Sequence, residues 1–122
     1  NGSAIQLTEV AALEAHVETS ASLAAVVKLD GFGLPHPDLL PTAIQKRVTK
    51  WTDWIDYWSV DWNWKGGPFS TGFAAFRTRR RRKLVLASEP HVYTEPASYR
   101  VAVKVVDVMG NETVRVLLVE AR

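Results

Sequence analysis

At 122 residues with 47% hydrophobic side chains, the chain is expected to form one domain around a single core and is too apolar to be disordered. It has no cysteine, which excludes disulfides, thiolate nucleophiles and cysteine-based zinc sites, and no apolar run is long enough to span a bilayer. The net charge of +2 hides an asymmetry: six of the fifteen basic residues fall in residues 77–83, and without them nine basic residues stand against thirteen acidic ones, a net of −4.

Taken in order, residues 1–3 read as a cloning scar, and with no initiating Met the chain is expected to be a piece of a longer protein. Residues 13–19 (LEAHVET) alternate apolar and polar side chains, as a half-buried strand does. After a turn at Ser20-Ala21-Ser22, residues 23–29 (LAAVVKL) predict a second strand ended by Asp30-Gly31. Residues 31–41 hold two glycines and three prolines and predict a loop. A short helix follows, with Leu40, Ile44, Val48 and Trp51 on one face and Gln45, Lys46, Arg47 and Lys50 on the other.

Residues 51–64 contain all five tryptophans. From Asp56 the pattern predicts a strand with Trp58, Val60, Trp62 and Trp64 inward and Tyr57, Ser59, Asp61 and Asn63 outward. The indoles read first as core, with Trp58 and Trp62 the best candidates; exposed rings would instead stack on sugars or bases. Residues 69–82 fit either a crossover or a further strand, and residues 84–87 predict another strand. Residues 88–96 connect to the clearest feature, a hairpin over residues 99–120 with its turn at Gly110-Asn111. Tyr99, Val101, Val103 and Val105 share one face of its first arm, while Leu117-Leu118 leaves the register of the second arm open. Short strands joined by turns, with little helix, predict an all-β antiparallel sandwich.

Chemistry-bearing patterns are few. The three histidines lack metal-pair spacing, and no nucleophile elbow or phosphate-binding glycine loop occurs, so no catalytic or metal residue is assigned. Asp56, Asp61, Asn63, Asp107 and Asn111 fit no calcium loop; the asparagines are expected to shape turns and the acids to face solvent. Arg77, Arg79, Arg80, Arg81, Arg82 and Lys83 have two readings. They neutralise nucleic-acid phosphates, extended by Lys46, Arg47 and Lys50 if the helix packs nearby, or they are a solvated stretch that blocks edge pairing.

WNWKGG at residues 62–67 and HVYTEPASYRVAVKVVDVMGNET at residues 91–113 resemble signature blocks of polycystic-kidney-disease (PKD) domains, although Asn63 and Lys65 depart from the family pattern. The resemblance implies an immunoglobulin-like sandwich with one short helix and a long basic insertion. It gives structural roles to Trp62, Trp64, His91, Tyr93 and Gly110, and puts Tyr99 at a tyrosine corner, two residues before the inward Val101. With IDYWSVDW and FRTRRRRKL, the chain over residues 54–120 is also similar to the C-terminal extension of bacterial adenine-specific DNA methyltransferases of restriction-modification systems. That likeness implies a non-catalytic, cytoplasmic accessory domain. Its partners would be DNA and other domains or subunits of the parent, and S-adenosylmethionine would bind elsewhere in that parent. The alternative is an extracellular PKD-type module that binds a glycan or a protein.

Overall fold

The computed structural model describes residues 11–122; the expectation for residues 1–3 lies outside them. Among the described residues, seven strands form two antiparallel sheets: β1 (Ala12–Ser20), β2 (Ala24–Gly33), β3 (Ile55–Asp61), β4 (Phe73–Phe76), β5 (His91–Val92), β6 (Ala97–Asp107) and β7 (Glu112–Ala121). One sheet has the order β1-β2-β5 and the other β4-β3-β6-β7. The chain is an all-β sandwich, with its core between the sheets. Alternate residues of each strand fill that core: Leu13 and Ala15 from β1, Ala25, Val27 and Leu29 from β2, Trp58 and Val60 from β3, and Val101, Val103 and Val105 from β6.

The two hairpins expected from patterning are present. In the first, Ser22 and Leu23 take left-handed backbone at φ 68° and 67°, which closes a three-residue turn without glycine. β2 does not end at Asp30-Gly31. Glu14 pairs with Gly31 and Ala15 with Leu29, so Asp30 bulges out and pairing resumes to Gly33. In the second hairpin, Gly110 at φ 85° occupies a turn whose N–H groups at Met109 and Asn111 donate to the Asp107 carboxylate. The β7 register resolves with Leu117, Val119 and Ala121 inward, and Val114, Val116 and Leu118 outward and exposed.

Other expectations need correction. The helix α1 covers only Thr42–Arg47, and a separate 3-10 turn, Trp51–Trp54, follows it. Leu40, Ile44, Val48 and Trp51 are all half-buried, but Leu40 and Val48 flank the helix rather than belong to it. β3 ends at Asp61, so Trp64 lies past the strand and is half-buried, while Trp58 and Trp62 are in the core. Asp61 and Asp107 do not face solvent. Both are buried because their carboxylates accept backbone N–H bonds, Asp61 from Asn63 and Ser70, Asp107 from Met109 and Asn111.

Residues 73–76 form a strand because their backbone pairs with β3, from Tyr57↔Phe76 to Val60↔Phe73. Residues 84–87 do not form a full strand. They touch β2 through one bridge, Lys28↔Ala87, with Leu29 N–H donating to Leu86 C=O and Ser88 N–H to Val27 C=O. The connection over residues 88–96 then contains β5, which pairs with the same edge of β2 at Ala24 and Ala25. Residues 84–92 are thus one interrupted strand. Pro90, which has no N–H to donate, sits in the interruption.

Candidate nucleic-acid interface

The basic stretch leaves the sandwich at the end of β4 and forms a tied turn rather than a loose loop. Arg77 is its anchor. The guanidinium turns back and donates to Thr52 C=O at 2.5 Å, Ile55 C=O at 3.3 Å and Arg82 C=O at 2.8 Å. A planar fork with five donors suits three convergent carbonyls, of which Thr52 C=O also accepts from Ile55 N–H. Beyond it, Thr78 N–H donates to Arg81 C=O at 2.7 Å, and Arg81 N–H to Thr78 Oγ1 at 2.9 Å. Arg79 and Arg80 stand exposed at the tip of this turn, and Arg81, Arg82 and Lys83 are exposed along its return arm.

A cleft of about 930 Å³ opens between this turn and the 3-10 segment. Lys50, Arg79, Arg82 and Lys83 line it, with Leu84 and Leu86 beside them. Its one acid, Asp53, is spent on the local turn and accepts from Thr49 N–H, Thr49 Oγ1 and Lys50 N–H. Those bonds, led by the Thr49 N–H, hold its carboxyl below the usual range. Among the described residues, none of Arg79, Arg80, Arg81, Arg82 or Lys83 pairs with a carboxylate. The cleft therefore presents a net positive charge, with Asp53 the one acid against it, around a fixed frame. Lys50, which lies past the helix, lines the cleft. Lys46 and Arg47 do not line it; Arg47 borders a separate depression with Ile44 and Val108.

Of the residues expected to be structural, Trp62, His91, Tyr93 and Tyr99 form one linked aromatic group, while Gly110 lies in the β6–β7 turn, where Val108 N–H donates to Trp54 C=O. His91 stacks on Trp62 at 4.8 Å between ring centroids and meets the edge of Tyr93 at 4.6 Å. Tyr93 stacks on Tyr99 at 3.9 Å and donates its hydroxyl to Trp62 C=O at 2.7 Å. Burial lowers the His91 pKa, and burial with nearby Tyr99 and Asp61 pushes the Tyr93 phenol up to about 12. Tyr99 Oη donates to Glu95 C=O at 2.7 Å. Trp58 Nε1 donates to Val85 C=O, and Trp64 Nε1 to Gly67 C=O, with the Arg100 guanidinium 5.7 Å from its ring centroid. Trp62 is 6% exposed and carries His91 stacked on its ring, so it is enclosed rather than open for stacking on a ligand.

No protein-family model and no curated protein matches the chain.

One constellation has no counterpart among the sequence expectations. His16 Nδ1 lies 2.7 Å from Asp30 and Nε2 lies 2.8 Å from Glu18, whose other oxygen meets Lys28 at 3.0 Å. With an acceptor at each ring nitrogen, the doubly protonated ring is favoured, and the His16 pKa is raised, first by Glu18 and then by Asp30. The two carboxylates lie against different nitrogens, so a metal at either nitrogen would meet only one of them. Alternation does put His16 and Glu18 on one face. Asp30 arrives through the bulge, which no local pattern signals.

Proposed function

We propose that this chain is a non-catalytic accessory domain whose basic turn anchors nucleic-acid phosphates, and that the sandwich is immunoglobulin-like and of PKD type. Three features support the fold reading. The strand order β1-β2-β5 over β4-β3-β6-β7 follows the immunoglobulin pattern, with an extra strand beside the third. Trp58 is fully buried on that third strand. Tyr99, near the start of β6, bonds back to Glu95 as a tyrosine corner does. The resemblance to the C-terminal extension of adenine-specific DNA methyltransferases supplies the parent, in which catalysis and S-adenosylmethionine binding belong to other parts.

The observation that carries the binding role is the net positive charge of one cleft, where Arg79, Arg82 and Lys83, on a turn held by Arg77, stand free of carboxylates and Lys50 faces them. Cations held in a fixed frame neutralise phosphates and release counterions without reading bases. The domain then orients a duplex and leaves sequence choice to the parent. The enclosed Trp62 gives no support to a glycan-stacking module.

Duplex affinity measured at two salt concentrations tests this. Replacing Arg79, Arg80, Arg82 and Lys83 by alanine, with Arg77 kept, should weaken binding and flatten the salt dependence by roughly one unit of log–log slope per lost phosphate contact. Circular dichroism should stay unchanged. Absence of binding at low salt, or binding indifferent to these four changes, would remove the nucleic-acid role.

A further inference from the structure

The return arm of the basic turn runs into a strand edge that is only half used. Leu86 C=O and Ser88 N–H face β2 and are bonded to it. Backbone groups of alternate residues in an extended chain point to opposite edges, so Val85 and Ala87 turn theirs away from β2. Val85 C=O is taken by the Trp58 indole at 2.7 Å. Among the described residues, Val85 N–H, Ala87 N–H and Ala87 C=O have no partner. This edge borders a shallow depression of about 520 Å³ lined by Leu84, Val85, Leu86 and Ala87, with Arg81 and Lys83 at one end.

We infer that residues 84–87 dock an extended acidic peptide segment, which adds itself as a strand along this edge. Val85 N–H and both backbone groups of Ala87 supply the ladder, the half-buried Val85, Leu86 and Ala87 offer the apolar strip, and Arg81 and Lys83 select acidic residues beside them. Charge decides the occupant. An acidic strand meets the opposite sign. A duplex meets the same cations but makes no backbone ladder, so the two kinds of ligand are separable.

The test uses an alternating Glu-Val peptide and the same peptide N-methylated at alternate residues, which keeps the charge but cannot pair on one edge. The unmethylated peptide should bind about tenfold or more tightly than the methylated one, the difference expected from two lost backbone bonds. Amide exchange at Val85 and Ala87 should slow on binding, and Lys83→Glu should abolish binding while leaving circular dichroism unchanged. Equal affinity for the two peptides, or no binding of either, would overturn the inference. So would a dimer in sedimentation with Ala87 already protected. Each of these outcomes leaves duplex binding to be read separately.

Discussion

Gly72 shows how tightly single positions are set. A Cβ placed there would lie 2.6 Å from Cδ1 and 3.2 Å from Nε1 of Trp62. The indole cannot retreat, because His91 stacks on its ring and the residue is 6% exposed. Gly72→Ala should therefore cost about 1–3 kcal/mol, the usual range for overpacking. Urea denaturation followed by tryptophan emission checks this, and an unchanged midpoint would mean that the indole has room to move. Nothing in FSTG marks this glycine as different from Gly67, which has open space around it. Arg77 poses the same difficulty. Its charge is plain in RTRRRRK, but its commitment to Thr52 and Ile55 depends on a 3-10 turn more than twenty residues upstream. Arg79 and Lys83 were legible as free charge because being free needs no partner.

Among the elements, β7 separates residues that carry the fold from residues that do not. Its inward side chains end in Val119, which is 2% exposed, while Leu118 on the opposite face is 79% exposed. Val119→Ala should cost about 2 kcal/mol through lost burial and a residual cavity. Leu118→Ser should stay within about 0.5 kcal/mol of wild type. Chemical denaturation of the two variants compares them directly; equal losses would show that the outer face of β7 is covered. Both hairpins were legible because alternation and adjacent turns specify local antiparallel pairs. β4 and residues 84–88 were not. Their conformation follows from distant partners: residues 57–60 of β3 for the one, and Val27, Leu29 and the Trp58 indole for the other. The bulge at Asp30 was illegible for a related reason, since an extra residue appears only when two strands are laid side by side.

For the whole molecule, apolar packing alone does not say how two sheets should sit on each other, because hydrophobic burial has no direction. Directional bonds between the layers supply that. Trp58 Nε1 reaches Val85 C=O, Arg115 Nη1 reaches Leu13 C=O at 2.8 Å, and Tyr93 Oη reaches Trp62 C=O at 2.7 Å. The last is buried at both ends, so Tyr93→Phe keeps the ring stack and orphans a carbonyl, at a cost of about 1–3 kcal/mol. The midpoint of urea unfolding should fall with its slope unchanged, and tryptophan emission and far-ultraviolet circular dichroism should still move together. The phenol adds a second signature. Its pKa is about 12 in the folded chain against 10.0 for the free side chain. Above pH 10 the unfolded chain loses this proton first, so the contribution of Tyr93 is full below pH 10 and is lost as pH rises towards 12. The stability difference between wild type and Tyr93→Phe should shrink across that window and stay flat below it. A difference that is constant with pH would mean that the phenol is solvated and does not hold the two sheets together.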